Sequence, residues 1–171
     1  MVPNERPAGA EGAMPSTRAD AIAEFLECAS VPFEMIEHEP VMSAAAEAET
    51  VGQRPQTVAK TIVLHDGAAY VIAAISAADR LDLHKLRELL GATRQLRLAS
   101  EAEIARDFPS LEVGAVPPFG PMVPAAEVID EKLASQQRML CPAGDHRHSV
   151  LVDPREVVRV TAAVVADICE E

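Results

Sequence analysis

The stretch "TVAKTIVLHDGAAYVIAAIS", Thr57–Ser76, decides the fold. Two apolar runs flank Asp66-Gly67, and glycine accepts the positive φ of a type I′ turn. Ile62 to Ile75 therefore reads as strand, tight turn and antiparallel strand. Lys60 stands at the entrance of the first strand, just before a run that must be buried. Lysine is costly to bury. Taken alone, Lys60 reads as a strand-end residue whose ammonium reaches solvent.

Upstream, Ser16 or Thr17 caps a helix running to about Ala29, with Ile22, Phe25 and Leu26 on one side. "PFEMIEHEP" sets Phe33 and Met35 between polar neighbours, a short strand closed by Pro40. "MSAAAEAET" reads as a second helix capped by Ser43. Downstream, "LDLHKLRELLG" is a helix from Asp82 to Gly91, with Leu83, Leu86, Leu89 and Leu90 as its apolar stripe. "RQLRLA" is a strand, and "SEAE" at 100–103 is a capping box opening the next helix.

"PSLEVGAVPPFGPMVP" holds five prolines and two glycines, Gly114 and Gly120, and reads as a stiff structured loop. It is either a connector that merely crosses the sheet or a rigid row of N–H donors for a developing oxyanion. Strands follow near 126–130, 138–142 and 148–152. "DPREVV" is a short helix with Pro154 first, and "RVTAAVVADI" fits a strand or a helix. Helices and strands mix without βαβ regularity, which favours a single α+β domain at 17–171 with a mixed or antiparallel sheet. Residues 1–16, rich in Pro, Gly and Ala, read as a loose tail.

Composition narrows the function. Of 171 residues 49% are hydrophobic, enough for a core, but aromatics are 3% and Trp is absent, which argues against base-stacking platforms. Net charge is −12, unevenly spread: residues 1–50 hold ten acids against two arginines. Within 80–97, Arg80, Lys85, Arg87, Arg94 and Arg97 face only Asp82 and Glu88. That segment is either a local phosphate-binding surface or an ordinary solvated face. Three cysteines without paired spacing suggest reduced thiols and the cytoplasm. No apolar run reaches membrane-span length.

Among chemical motifs, Cys141, Asp145, His146 and His148 invite a metal reading. Histidines two apart on a strand point to opposite faces, however, and no zinc-site spacing accompanies them. No G-x-S-x-G, P-loop or G-x-G-x-x-G is present. His38, in "EHEP", reads as a surface or capping histidine.

In order, "VAKTIVL", "RLDLHKLRELLG", "LRLASEAEI", "VGAVPPFG" and "AGDHRHSVLVDPREVV" resemble the YbaK/ProX family of aminoacyl-tRNA deacylases, which also supplies the editing insertion of some prolyl-tRNA synthetases. The resemblance spans roughly residues 20–168. It implies an α+β fold with a mixed, mostly antiparallel, barrel-like sheet flanked by helices. It implies freestanding trans-editing: hydrolysis of the ester joining a small mischarged amino acid to tRNA, with no metal and no cofactor. The alternative is a non-catalytic tRNA- or synthetase-binding module of the same fold. The implied partners are the tRNA acceptor end and an aminoacyl-tRNA synthetase, with neither DNA nor membrane.

The resemblance places Lys60 and Gly114 in the catalytic centre, and His38, Thr61, Ala115, Val116, Pro118, Gly144 and Ser149 on the substrate wall. The ester is already labile, so positioning, a water and an oxyanion site suffice. Lys60 and the N–H groups of Gly114 to Val116 are the expected suppliers. This chain departs from relatives at Ile36, where they often carry tyrosine, at Pro142, where some carry serine, and at Ser149, where some carry an acid. These positions border the amino-acid pocket, so Ala, Ser, Cys, Thr and Pro all stand as substrates.

Overall fold

The computed structural model describes residues 18–91, 95–119 and 125–171. The expected tail, the caps Ser16 and Thr17, Arg94 and Gly120 lie outside them.

The opening hairpin forms as β2 (Ala59–His65) and β3 (Tyr70–Ser76), in register from Ala59 opposite Ser76 to His65 opposite Tyr70. Its connection is longer than the expected two-residue turn. Four residues bridge His65 and Tyr70, and of Asp66 and Gly67 only Gly67 has positive φ, at 97°. The Asp66 carboxylate closes the turn by accepting the Ala68 and Ala69 N–H groups at 2.9 and 2.8 Å. Those bonds lower its pKa, and the short polar side chain does the work that a I′ backbone would have done.

Two sheets are built around this hairpin. The larger has five strands in the order β4 (Arg97–Leu98), β2, β3, β5 (Ala125–Asp130), β8 (Val164–Ala166). β2 pairs antiparallel with β3 and β4, while β5 runs parallel to both β3 and β8. The smaller is antiparallel, in the order β1 (Phe33–Glu37), β7 (His148–Val152), β6 (Met139–Pro142). Among the described residues a single parallel bridge, Val58 to Leu140, joins the two. The sheet is therefore mixed as expected, but it does not close into a barrel.

Helices cover the faces. α1 (Arg18–Cys28) puts Ile22 and Leu26 into the main core with Ala59, Ala74, Phe119, Cys141 and Val150. α3 (Leu83–Leu90) covers the other face of the hairpin. Asp82 caps it and Gly91 ends it at φ 59°, but only Leu86 of the expected stripe is fully buried, and Leu89 is exposed. α2 (Ala44–Val51) is capped by Ser43 and packs Ala44, Ala48 and Val51 against Ile36, Val58, Leu140 and Leu151 of the smaller sheet and the seam. α4 (Glu101–Asp107) opens with the expected capping box, and α5 (Glu131–Ala134) is one turn. α6 (Pro154–Thr161) precedes β8, so the last segment is helix and then strand rather than either alone. No described helix is long and apolar enough to cross a membrane.

Candidate functional site

The two-residue period of the smaller sheet sets Ile36, Pro142 and Ser149 side by side, since Ser149 lies opposite both Ile36 and Pro142. α2 lies over this face. At its edge opens a narrow cleft lined by His38, Val41, Ser43, Glu47, Gly114, Ala115, Pro142, Asp145, His146, His148 and Ser149.

Backbone pairing builds the walls. His38 N–H donates to the Arg147 carbonyl at 2.9 Å, and Val41 N–H to that of His146 at 3.0 Å, which fastens the segment after β1 to the β6–β7 turn. The loop before β5 is fastened to the same turn. Gly144 N–H donates to the Ala115 carbonyl at 3.1 Å, and Glu112 N–H to the Gly144 carbonyl at 2.8 Å. Gly144 sits at φ 88°, and a β-carbon there would meet Arg18 Cβ and Leu111 Cδ2 at 3.2 Å. Glycine is required for this close approach.

Gly114 sits at φ 86° in a turn closed by the Ala115 N–H on the Glu112 carbonyl at 3.0 Å. Its own N–H donates to no described residue. Asp145 organises the turn opposite by accepting the Arg147 and His148 N–H groups, both at 2.8 Å, while its other oxygen lies 2.9 Å from His148 Nδ1. His146 lies against Glu112, which also pairs with Arg18 at 3.6 Å.

The innermost wall is a chain of polar side chains. His38 Nδ1 lies 2.7 Å from the Glu39 carbonyl oxygen, and Nε2 lies 2.7 Å from Ser149 Oγ. The Ser149 hydroxyl donates in turn to Glu47 Oε1. Ser149 and Glu47 are 0% and 4% exposed. Burial drives the Glu47 carboxyl above its ordinary pKa, while the Ser149 hydrogen bond and the His38 charge pull the other way.

The expected residues divide accordingly. His38, Gly114, Ala115 and Ser149 share the cleft, and Gly144 pins its walls together. Val116 packs behind them against Val63, Ile72, Phe108 and Leu111, and Pro118 is buried in the same loop. Thr61 projects from the hairpin face of Ala59 and Val63, its buried hydroxyl without a partner.

Lys60 lies on the other face of β2, two residues past the bridge from Val58 to Leu140. Its ammonium donates to the Asp79 carbonyl at 2.9 Å and is not among the groups lining the cleft. Of the 80–97 cations, Lys85 pairs with Asp167, Arg87 donates to the Leu96 carbonyl and Arg97 forks onto Glu103.

The suggested metal ligands do not converge. Cys141 is fully buried with its thiol raised well above the ordinary range by desolvation, and each histidine has a carboxylate of its own. Among the described residues, Asp79, Asp130 and Cys169 do lie within ligand distance of one another. Burial and the hydrogen bond to Asp130 push the Cys169 thiol up to about 12, and both Asp130 oxygens already accept backbone N–H groups, from Lys132 and Ile168.

Glu47 is the site residue that the motifs passed over. Its signal was legible, because Glu47 lies three residues after Ala44 and four before Val51, on the packed stripe of an alanine-rich helix. An acid on such a stripe is buried with a partner or for a purpose.

Residues 38–160 match the aminoacyl-tRNA editing domain family. No curated protein matches the chain. Among solved structures, it is similar to a protein proposed to be a trans-editing enzyme for prolyl tRNA synthetase, at 26% identity and TM-score 0.81, over 91% of this chain and 99% of that one. A hypothetical protein matches at 26% identity and TM-score 0.79, over 87% and 99%. A scaffold protein from computational epitope grafting matches at 25% identity and TM-score 0.79, over 91% and 99%.

Proposed function

The chain belongs to the aminoacyl-tRNA editing domain family, and on that premise we propose that it is a freestanding deacylase. It hydrolyses the ester of a small amino acid misattached to tRNA, without a metal. The observation that carries this reading is the overlap of the family match with the cleft: His38, Glu47, Gly114, Asp145 and Ser149 all fall within residues 38–160.

The cleft suits an ester of a small acyl group. Its free space is slight, and the compact residues Ala115 and Pro142 stand on its wall. Gly114 offers an uncommitted N–H on a loop stiffened by Pro117 and Pro118, the arrangement needed to meet a developing oxyanion without reorganisation. We assign Lys60 to the tRNA end of the substrate. Its ammonium exchanges the Asp79 carbonyl for a phosphate or ester oxygen, a stronger charge-assisted contact. A small substrate, a positioned water and preorganised donors account for catalysis of an ester that is already activated.

The test is Gly114→Val. At φ 86° a β-branched residue is strained, and its Cβ would lie 3.4 Å from His146 Cε1. The variant should bind tRNA as wild type does and lose about a hundredfold in deacylation, because the strain displaces a retained N–H from the oxyanion position. Normal turnover by the folded variant would remove this loop from the site.

A further inference from the structure

The structure assigns a catalytic role to Glu47: we propose that its carboxylate is the general base that activates the attacking water and then returns the proton to the leaving ribose oxygen. This rests on the ester-hydrolysis reading above.

The wall chain has a direction. A carbonyl oxygen only accepts, so His38 Nδ1–H donates to Glu39, and because the Ser149 proton goes to Glu47, His38 Nε2–H donates to Ser149 Oγ. Both ring nitrogens are occupied, so His38 holds Ser149 and does not reach a substrate. Ser149 is wholly buried and spends its hydroxyl proton on Glu47. That order, histidine to serine to carboxylate, is the wrong one for a serine nucleophile, in which histidine stands between the other two. The chain ends at Glu47. Ser149 occupies Oε1, while Oε2 bonds to no described residue and is not sealed from the cleft. Asp145, the other carboxylate on the wall, has a partner on each oxygen, from Arg147 and His148. Glu47 Oε2 is thus the carboxylate oxygen left for a reacting water.

The surroundings suit the task. The groups facing Glu47 are His38 at the end of β1, Asp145, His146 and His148 in the β6–β7 turn, and the buried Cys141 of β6, whose thiol Glu47 helps to raise. Burial moves the Glu47 carboxyl toward the range in which a general base works at neutral pH. In the reaction, one O–H bond of water breaks as its proton passes to Oε2, and the water oxygen bonds to the ester carbonyl carbon. The adduct then loses its C–O bond to the ribose, and the proton on Glu47 passes to that oxygen. Water and ester become acid and alcohol, and Glu47 is restored.

The experiment is single-turnover deacylation across pH by wild type, Glu47→Gln and Ser149→Ala, with tRNA affinity measured beside it. Glu47→Gln should be about a hundredfold slower with unchanged affinity, and should lose the limb along which the wild-type rate falls in acid. Ser149→Ala removes a bond that lowers the Glu47 pKa, so its acid limb should move to higher pH. Folding is checked by melting. A raised carboxyl pKa means that the folded state binds this proton more tightly than the unfolded state. Glu47 therefore costs stability as pH rises through its folded value, and Glu47→Gln should melt no lower than wild type at neutral pH.

A Glu47→Gln rate within about threefold of wild type, with the same acid limb, overturns the assignment. So does a loss confined to binding, which would make Glu47 a partner of the substrate ammonium. An unmoved acid limb in Ser149→Ala overturns it too. A wild type that cleaves no charged tRNA sinks the deacylase reading itself, whereas an active wild type with an equally active Glu47→Gln sinks this inference alone.

Discussion

Lys60 shows how far single residues can be read. Its place at the mouth of a buried strand was visible in "VAKTIV", and β2 does carry it two residues past the bridge between the sheets. Where its ammonium goes was not visible, because the acceptor is a backbone carbonyl nineteen residues away, at Asp79. The tRNA-end assignment makes a sharp prediction. Lys60→Ala should lose about a hundredfold in deacylation, and Lys60→Arg should fail to restore it, because the guanidinium differs in reach and shape. Melting should change by no more than the equivalent of about 0.5 kcal/mol, since one partly exposed hydrogen bond is lost. Single-turnover assays beside thermal melts check both. Near-normal turnover by Lys60→Ala would mark the lysine as structural. Glu47 is the opposite case: its helical position gave it away, but its partner Ser149 is 102 residues distant, and no local pattern announces such a contact.

Elements were legible where local chemistry decides them. Ser43, Asp82 and Ser100 cap α2, α3 and α4 as their side chains dictate. The Ser100 box is reinforced by Arg97, which forks onto Glu103 and, with the Ser100 N–H, holds that carboxyl down at about 2. A lowered carboxyl gives stability that is present above its unfolded value and lost as pH falls toward 2, and at this exposed pair the gain is small. Ser100→Ala breaks the box itself and should cost about 1 kcal/mol, read as a fall of roughly 2–4 °C in Tm at neutral pH for a chain of this size. An unchanged Tm would show that α4 is held by packing alone. Elements misjudged in extent or left undecided by the sequence were those set by distant partners. β4 shrinks to Arg97–Leu98 because only His65 and Leu64 pair with it, and the end of the chain divides into α6 and β8 because β5 recruits Val164–Ala166.

At the scale of the whole molecule, the mixture of helices and strands indicated α+β architecture, but the division into two sheets did not follow from it. Parallel pairing of β3, β5 and β8 depends on contacts between segments more than fifty residues apart in the first pair and thirty in the second, and nothing local encodes them. Among the described residues one bridge, Val58 to Leu140, links the two sheets over a shared apolar core, and Lys60 stands two residues past it. The charge of −12 opposes extensive contact with the tRNA backbone, so recognition should centre on the acceptor end and the acyl group. The most direct measurement is single-turnover release of amino acid from tRNAs charged with Ala, Ser, Cys, Thr or Pro, run in EDTA. At least one should be released at least about a hundredfold faster than by spontaneous hydrolysis. Release at the spontaneous rate from all five, by a protein that still binds them, would make the chain a binding module and contradict the account.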